Sequence, residues 1–490
     1  MKRLSHLDSS FLRVESPTAH MHVGWLALVN LPAGMEALDT DALRRTVTGR
    51  LHHAPRFRQR VQPAPLGEPF LHDDPDFEIA KHITAAPRRV MSASELRATC
   101  DRFLSEQLDR ERPLWEIRVV PRVGERRAAV IGKVHHALVD GVAAVELGTL
   151  LFDVDRDDAA GDPDEAPPWR PEPVPSPARF ALDVVTDGAV EQFRTARRMM
   201  GLTLSPRRTL RVADTMRRAA LSLAEEVIQP APVTFVNRPI GPERALLTRS
   251  VPIRRLERIK RPLGLKLNDV VLAVMTGAMR RLAALAEEEP TALRTMVPVN
   301  VRGAADAPAE GNRIAFGFVD LPVDEADPLR RVKLIRWQTE RLRSPDAIVG
   351  RDALMRSVGM LPEPLRTQAA RFAASSRTFN LTISNIVGPR VPLYAAGARV
   401  EEIYPVIPLS DAHGLAVGVL SYGSYLHFAL HVAPRSLVEA GDLPRLVGAA
   451  ISELERTLPA KRGLTPARRL SRPASVAARA RSPGGARPGG

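Results

Sequence analysis

The chain alternates between short apolar runs and longer stretches in which apolar residues recur at helical spacing. In the first third of the chain, the short runs predict strands over 21–31, 117–120 and 128–135. Helical spacing predicts helices over 41–51, 92–108 and 142–152. Strands that alternate with helices in this way are typical of an α/β domain.

A second region with the same alternation begins near residue 233. The pattern predicts strands over 246–251, 295–301 and 314–323, and helices over 270–288 and 329–342. Two apolar runs within 415–432 predict a hairpin that turns at Tyr422 and Gly423. The sequence therefore predicts two α/β lobes.

The stretch between the lobes has a different composition. Seven prolines within 162–177 indicate a linker, and 178–229 is rich in Ala, Arg, Met and Leu, which favours a helical bridge. Residues 461–490 hold eight basic residues and no acidic one, which is typical of a disordered tail. The predicted organisation is an N-terminal domain, a linker, a C-terminal domain and a basic tail, over 1–160, 161–232, 233–460 and 461–490.

The formal net charge of +14 does not identify a partner. Arginine supplies 63 of the 70 basic residues, a bias typical of GC-rich genomes, and the tail alone contributes +8. With 4% aromatic residues and no recognised module, a nucleic-acid-binding protein is the least favoured class. The tail is expected either to be a solvated extension or to be attracted to anionic lipid headgroups.

Cysteine usage and hydropathy bear on location. Cys100 is the single cysteine, so neither an intramolecular disulfide nor a cysteine-based zinc site is expected, and a reducing compartment is favoured. The sequence contains no run of about 18 apolar residues and no apolar segment next to Met1. We expect a cytoplasmic protein that neither crosses a membrane nor is exported.

The segment 128–152 carries the strongest candidate chemistry. His135 and His136 fall where an apolar strand ends, and Asp140-Gly141 precede an apolar helix. A histidine at such an edge can act as a general base, and Gly141 permits a tight turn. Asp140 can hold that turn through a salt bridge. In the alternative interpretation the histidines only mark the strand end, and Asp140 caps the helix.

Motifs of several other enzyme classes are absent from the sequence. It contains no G-x-S-x-G nucleophile elbow, no phosphate-binding loop, no dinucleotide fingerprint and no H-E-x-x-H pair. The remaining histidines of interest, His52, His53, His413, His427 and His431, lack carboxylates or cysteines at ligand spacing. We therefore expect no metal and no cofactor.

The sequence resembles the bacterial wax ester synthase/acyl-CoA:diacylglycerol acyltransferases, especially those of actinobacteria, from residue 4 to about 458. HHALVDG at 135–141 matches the family's HHxxxDG active-site motif, which condensation domains of peptide synthetases share. Other similar blocks are the N-terminal signature (Leu4-Ser5, Asp8, Phe11-Leu12, Glu15 and Met21 to Gly24), Pro113-Leu114-Trp115-Glu116, Asn268-Asp269, 298–302, and Asn380 with Ser384-Asn385 and Gly388-Pro389.

This resemblance implies two chloramphenicol-acetyltransferase-like α/β sandwich domains, joined by a helical linker, with the active-site tunnel between them. It implies transfer of a long-chain acyl group from acyl-CoA to diacylglycerol, and also to fatty alcohols, at the inner membrane face or on lipid inclusions. His136 would remove the hydroxyl proton without an acyl-enzyme, with His135 in support and Asp140 positioning the turn. With an ordinary histidine pKa of about 6.5, the reaction rate would fall as the pH drops through that value, because protonation removes the base.

The additional motifs also have structural interpretations. Trp115 suits core packing, Asn268-Asp269 suits the start of the helix at residue 270, and Ser384-Asn385 suits a strand-to-turn connection. The resemblance implies that Asn268 or Ser384 helps to bind an oxyanion or the acceptor. Two other functions stay open at this point: an acyltransferase of the condensation type that uses carrier-protein thioesters, and an inactive scaffold on lipid inclusions.

Overall fold

Two large β-sheets, each packed with α-helices, form the framework of the computed structural model. The structure describes residues 2–64, 68–139, 141–156, 167–173, 230–300, 314–345, 347–351, 358, 361 and 363–458. The strands are β1 (Lys2–Arg3), β2 (His22–Asn30), β3 (Gln59–Gln62), β4 (Phe70–Asp73), β5 (Ile83–Ala85), β6 (Val90–Met91), β7 (Trp115–Val123), β8 (Arg127–His135), β9 (Ala245–Pro252), β10 (Leu293–Asn300), β11 (Ile314–Leu321), β12 (Leu381–Val387), β13 (Tyr394–Ala395), β14 (Ala398–Val406), β15 (Leu415–Tyr422) and β16 (Tyr425–Val432). The described helices are α1 (His6–Val14), α2 (Thr40–Arg50), α3 (Ile79–His82), α4 (Ala93–Ser105), α5 (Gly141–Leu151), α6 (Ile253–Leu263), α7 (Leu267–Leu285), α8 (Pro328–Leu342), α9 (Glu363–Ala373) and α10 (Leu443–Thr457).

The N-terminal lobe is built on a seven-stranded sheet with the order β13-β14-β2-β8-β7-β5, to which β6 adds beside β7. β8 pairs antiparallel with β2 on one side and with β7 on the other. Eight of its nine residues are buried, because its apolar sequence is covered on both faces. The register sets His22 opposite His135 and Trp115 opposite Val134. The strands and helices predicted for this part of the chain are confirmed to within a few residues.

The C-terminal lobe is built on a six-stranded sheet with the order β11-β10-β12-β15-β16-β9. α7 is buried without a break from Asp269 to Met279 and belongs to the core of this lobe. A helix that is apolar all round is typical of such a position. β15 and β16 form the predicted hairpin, and Gly423 in its turn has a φ of 55°, which glycine adopts without a steric penalty.

Two strands of the C-terminal half, β13 and β14, lie in the N-terminal sheet. β14 pairs antiparallel with β2, and β13 pairs with the outer edge of β14. Gly418 of β15 lies against the backbone of β14, and any side chain at this position would overlap the carbonyl oxygen of Pro405. The two sheets therefore approach closely here because residue 418 has no side chain. The predicted division into domains 1–160 and 233–460 does not include this contribution of C-terminal strands to the N-terminal sheet.

A shared core also joins the two lobes. Apolar side chains of α4, β2 and β8 pack with Leu246 of β9, Tyr404 of β14 and Ala429 of β16. The Asp101 carboxylate of α4 accepts a hydrogen bond from the Leu246 N–H at 2.8 Å. Helix α4 is thus held against the edge strand of the other lobe.

Only part of the predicted linker belongs to the described residues. Within 167–173, Trp169 donates a hydrogen bond to the Asp74 carbonyl oxygen at 3.2 Å, and the Arg58 guanidinium lies over its ring. This piece of the linker packs on the N-terminal lobe. The predicted helical bridge at 178–229 and the tail at 461–490 lie outside the described residues.

Candidate active site

The two adjacent histidines lie at the end of β8, where the chain leaves the sheet. His135 is the last residue of the strand, and a 3₁₀ turn over His136–Leu138 follows it. The His135 N–H donates to the Leu114 carbonyl oxygen, and the His136 N–H donates to the Met21 carbonyl oxygen, both at 2.9 Å. Hydrogen bonds to the residues that precede β7 and β2 therefore hold the backbone of both histidines in place.

The imidazole of His136 is held against an aromatic ring. It stacks on Phe11 of α1 with ring centroids 3.7 Å apart and an interplanar angle of 15°. The side chain is partly exposed, while its Nδ1 atom is buried and has no hydrogen-bond partner among the described residues. Burial lowers the pKa of His136 to about 4. The ring is therefore neutral at neutral pH and has a lone pair to accept a proton.

His135 is buried and makes contacts with both ring nitrogens. Its Nδ1 accepts a hydrogen bond from the Ala137 N–H at 3.1 Å, and its Nε2 lies 3.7 Å from Oε2 of Glu15. Burial lowers the pKa of His135 to about 3, with smaller contributions from Arg110 and His136. Because Nδ1 accepts, the neutral ring carries its hydrogen on Nε2. His135 thus braces the turn that carries His136.

Of the two remaining residues in the HHxxxDG motif, one is described. Gly141 is the first residue of α5, so the predicted sequence of strand, turn and helix is confirmed. Asp140 lies outside the described residues. Its predicted role in positioning the turn stays a prediction.

Pro113, Leu114 and Trp115 lead into β7 beside the histidine pair. The Leu114 carbonyl oxygen receives the His135 N–H, as described above. Trp115 is buried, stacks on His82 and donates from Nε1 to the Phe57 carbonyl oxygen at 2.7 Å. The indole is therefore a packed core side chain, and the main chain of this motif is the part that reaches the site.

Asn268 and Asp269 lie at the start of α7. The helix begins at Leu267 with Lys266 as its N-cap, so the prediction that Asn268 caps it is wrong, whereas Asp269 lies in the first turn as expected. Asp269 is buried and accepts hydrogen bonds from Thr339 and Arg343, both at 2.8 Å. It also accepts the Lys266 N–H at 2.9 Å, so its carboxylate both caps the start of α7 and ties α7 to the end of α8. Sequence reasoning missed the link to α8 because Thr339 and Arg343 lie about 70 residues away.

Ser384 and Asn385 lie inside β12, in register with Gly418 and Val419 of β15. Both are partly buried strand residues, and β12 ends at Val387 just before Gly388-Pro389, which agrees with the strand-to-turn connection of the structural interpretation. The nearby Asn380 is fully buried and bonds to the Arg294 N–H, the Pro232 carbonyl oxygen and Asn237. Asn380 therefore joins segments of the C-terminal lobe.

Family models match most of the chain. The wax ester synthase/diacylglycerol acyltransferase catalytic domain covers residues 4–271. The chain belongs to the wax ester synthase/diacylglycerol acyltransferase family. The C-terminal domain of the same family covers residues 310–455. The resemblance found in the sequence is confirmed, and this member of the family is an acyltransferase.

Individual members of the wax ester synthase/diacylglycerol acyltransferase family align along nearly their whole length. Two probable diacylglycerol O-acyltransferases of Mycobacterium tuberculosis, tgs1 and tgs2, are 28% and 30% identical over 93% and 92% of this chain and 96% and 98% of their own. The structure of a wax ester synthase/diacylglycerol acyltransferase from Marinobacter aquaeolei VT8 matches with a TM-score of 0.63 and 25% identity, over 93% of this chain and 99% of that one.

The fold is shared more widely than the family. The first condensation domain of the CDA synthetase matches with a TM-score of 0.55 at 16% identity, over 93% of this chain and 96% of that one. The predicted pair of α/β lobes related to chloramphenicol acetyltransferase is therefore confirmed.

Residues of the N-terminal family signature surround the histidine pair, and sequence reasoning gave them no chemical role. Phe11 stacks on His136, Glu15 faces His135, and the Met21 carbonyl oxygen receives the His136 N–H, as described above. His22 is buried, and neither of its ring nitrogens has a hydrogen-bond partner among the described residues. The signature was visible in the sequence, but its position opposite the end of β8 was not.

Over the part of the chain that the structure describes, no group of three or more His, Cys, Asp or Glu side chains is arranged to hold a metal ion. No described helix is long and apolar enough to cross a membrane.

Proposed function

We propose that this acyltransferase moves a long-chain acyl group from acyl-CoA to the hydroxyl of diacylglycerol, with fatty alcohols as further acceptors. The observation that carries the proposal is His136, a neutral, partly exposed histidine that is held between backbone bonds and the Phe11 ring. The names of the mycobacterial relatives support diacylglycerol as an acceptor. The Marinobacter relative is named for both wax ester and diacylglycerol chemistry.

In the proposed mechanism His136 acts as a general base in a single displacement. It takes the proton of the acceptor hydroxyl while the hydroxyl oxygen attacks the thioester carbonyl carbon. The carbon–sulfur bond then breaks, and the departing CoA thiolate takes the proton from the imidazolium. The imidazolium is stabilised by the negative charge that develops on the thioester oxygen. Acyl-CoA brings the activated acyl group, so the reaction needs no resident cofactor and no acyl-enzyme.

The other candidate residues have narrower proposed roles. Asp140 holds the turn after the histidine pair, and His135 braces the same turn from within the core. Asn268, Ser384 and Asn385 are candidates for acceptor or oxyanion binding in the tunnel that the family resemblance implies between the lobes.

The direct test is an acceptor survey with the purified full-length protein. A labelled long-chain acyl-CoA is incubated with diacylglycerol or with a fatty alcohol, and ester formation and CoA release are measured together. We expect one CoA for each ester formed, with triacylglycerol as the product from diacylglycerol. If neither acceptor yields an ester while a carrier-bound thioester does, the condensation-type alternative replaces this proposal.

The pH dependence of the rate follows from the lowered pKa of His136. A base whose pKa is about 4 stays unprotonated as the pH falls to 5, so kcat/KM is expected to be flat over this range and to fall only near pH 4. An ordinary histidine pKa, as expected from the sequence, would instead make kcat/KM fall at about pH 6.5. The measurement is a kcat/KM profile, with recovery of activity at pH 7.5 as the control for acid unfolding. A reversible fall in kcat/KM centred at about pH 6.5 would contradict the prediction.

We further propose that the protein contacts an anionic lipid surface through α8. Two large apolar side chains are exposed on this helix, Leu334 at 44% and Trp337 at 57%. The exposed charged residues of α8 are four cations and one carboxylate, namely Arg330, Lys333, Arg336, Arg341 and Glu340. Aromatic rings favour the lipid–water interface, and cationic residues are attracted to anionic headgroups. This surface suits a protein whose acceptor is a lipid.

Replacing the two apolar residues of this surface tests the lipid contact. The variant Leu334→Ser/Trp337→Ser is expected to bind vesicles of phosphatidylcholine and phosphatidylglycerol about 10- to 30-fold more weakly, since two partly inserted side chains are lost. Cosedimentation measures the binding. Val438→Ser, which replaces another exposed apolar residue, is the matched control. Equal binding by the double variant and the unchanged protein would rule out this surface.

A further inference from the structure

A chain of polar contacts leads from α1 to the histidine pair. Glu15 follows the last residue of α1, and its side chain is only 9% exposed. The same oxygen, Oε2, contacts the Arg110 guanidinium and lies 3.7 Å from Nε2 of His135, beyond hydrogen-bond distance; this Nε2 has no hydrogen-bond partner among the described residues, so the Glu15 carboxylate is the acidic group that faces it. The opposite ring nitrogen, Nδ1, accepts the Ala137 N–H one residue beyond His136. Glu15 and His136 are thus connected through a single imidazole ring.

We propose that Glu15 is a positioning residue that acts through His135 to hold the turn bearing His136. The inference rests on the proposed role of His136 as the base and adds a residue to which neither the sequence motifs nor the mechanism gave a task. Arg110 sets the orientation of the carboxylate. Glu15 itself does not contact the reacting atoms.

The physical basis is the choice between the two neutral forms of imidazole. A carboxylate beside Nε2 favours the form with its hydrogen on Nε2, which leaves Nδ1 free to accept the Ala137 N–H. In the other form Nδ1 carries the hydrogen and faces a second N–H, so the bond to Ala137 is lost. The turn then loosens, and the ring of His136 shifts. A misplacement of about 1 Å at a catalytic group can cost about 100-fold in rate.

A simpler interpretation is that Glu15 only anchors the end of α1. Glu68 provides a matched comparison, because it is a second buried carboxylate that holds the same helix. It contacts His6 at 2.8 Å and Arg13 at 2.5 Å, and it also pairs with Arg366 of α9 at 2.9 Å. Within the described part of the chain, the Glu68 carboxylate makes its ion pairs with His6, Arg13 and Arg366 and does not contact His135. Loss of either carboxylate weakens the attachment of α1. Only the loss of Glu15 changes which ring nitrogen of His135 carries the hydrogen.

The test is a double-mutant cycle between positions 15 and 135. Glu15→Met keeps the length of the side chain and removes the acceptor, and we expect it to lower kcat about 10- to 100-fold with KM within about twofold. In the His135→Ala background the same substitution is expected to change kcat less than about twofold, because its effect passes through the imidazole. Glu68→Met, the control, is expected to lower the melting temperature and to have the same effect in both backgrounds.

A rescue variant separates positioning from packing. In His135→Asn the side-chain oxygen can still accept the Ala137 N–H, whereas the shorter amide has no atom at the position of Nε2, the atom that faces Glu15. We expect this variant to keep kcat well above that of His135→Ala and to be insensitive to Glu15→Met. Equal activity of the Asn and Ala variants, or additive effects of Glu15→Met and His135→Ala, would overturn the proposal. A folded His136→Ala protein with normal turnover would instead overturn the mechanism on which it rests.

Discussion

Replacing His136 by alanine is expected to lower kcat by about 10²–10⁴-fold, the usual contribution of a positioned general base. The melting temperature should change little, because the side chain is partly exposed and its buried Nδ1 has no partner among the described residues. Initial rates with acyl-CoA and diacylglycerol, together with a thermal melt of the same preparation, provide the measurement.

The control for this substitution is a histidine of similar size away from the site. His52 is exposed in the 3₁₀ turn that follows α2, so His52→Ala should keep the rate of the unchanged protein. A folded His136→Ala protein with near-normal turnover would remove His136 from the role of base. The histidines at the end of β8 would then only mark the end of a strand, which is the structural interpretation that the sequence left open.

The largest expected effect on stability comes from Trp115. This side chain is 2% exposed, and Trp115→Ala should lower the free energy of unfolding by about 3–5 kcal/mol through the cavity and the unpaired Phe57 carbonyl oxygen. Trp115→Phe keeps most of the ring and should lose about 1–2 kcal/mol, mainly from the hydrogen bond. Chemical denaturation measures both values.

Kinetics on the same two variants decide whether Trp115 also binds substrate. If it serves only in packing, Trp115→Phe keeps kcat and KM within about twofold of the unchanged protein at a temperature where it is folded. The exposed Trp337 is the control for the stability measurement, since Trp337→Ala removes an indole that is 57% exposed and should cost little. A large rise in KM with no loss of stability would assign Trp115 to the substrate site.

Most elements near the site could be predicted from local sequence pattern. The apolar run that ends at His135 becomes the central strand β8, and the helix after Gly141 begins where the pattern changes. These predictions succeed because the signal lies within ten to twenty neighbouring residues. The same holds for the hairpin at Gly423, where a turn is flanked by two apolar runs.

Features that depend on distant segments could not be predicted in this way. Nothing local to Phe11 or Glu15 indicates that α1 will pack over the histidine turn more than 100 residues later in the chain. The pKa of His136 is equally hidden, because its lowering comes from burial in the folded protein. At the start of α7, the Asp269 carboxylate accepts the Lys266 N–H and also bonds to Thr339 and Arg343 of α8 and the residue after it, and the latter two partners are far away in the sequence.

The position of β14 affects how the protein can be made. The edge of β2 that β14 covers stays unpaired until residues 398–406 have been synthesised. At about 5–20 residues per second, a ribosome needs roughly 20–75 s after β2 to reach them, and exposed strand edges promote aggregation during such a delay. A fragment cut at the end of the catalytic-domain match, residue 271, would keep this edge open permanently. Expression of the whole chain, at low temperature or with chaperones, is therefore the practical route to the N-terminal lobe.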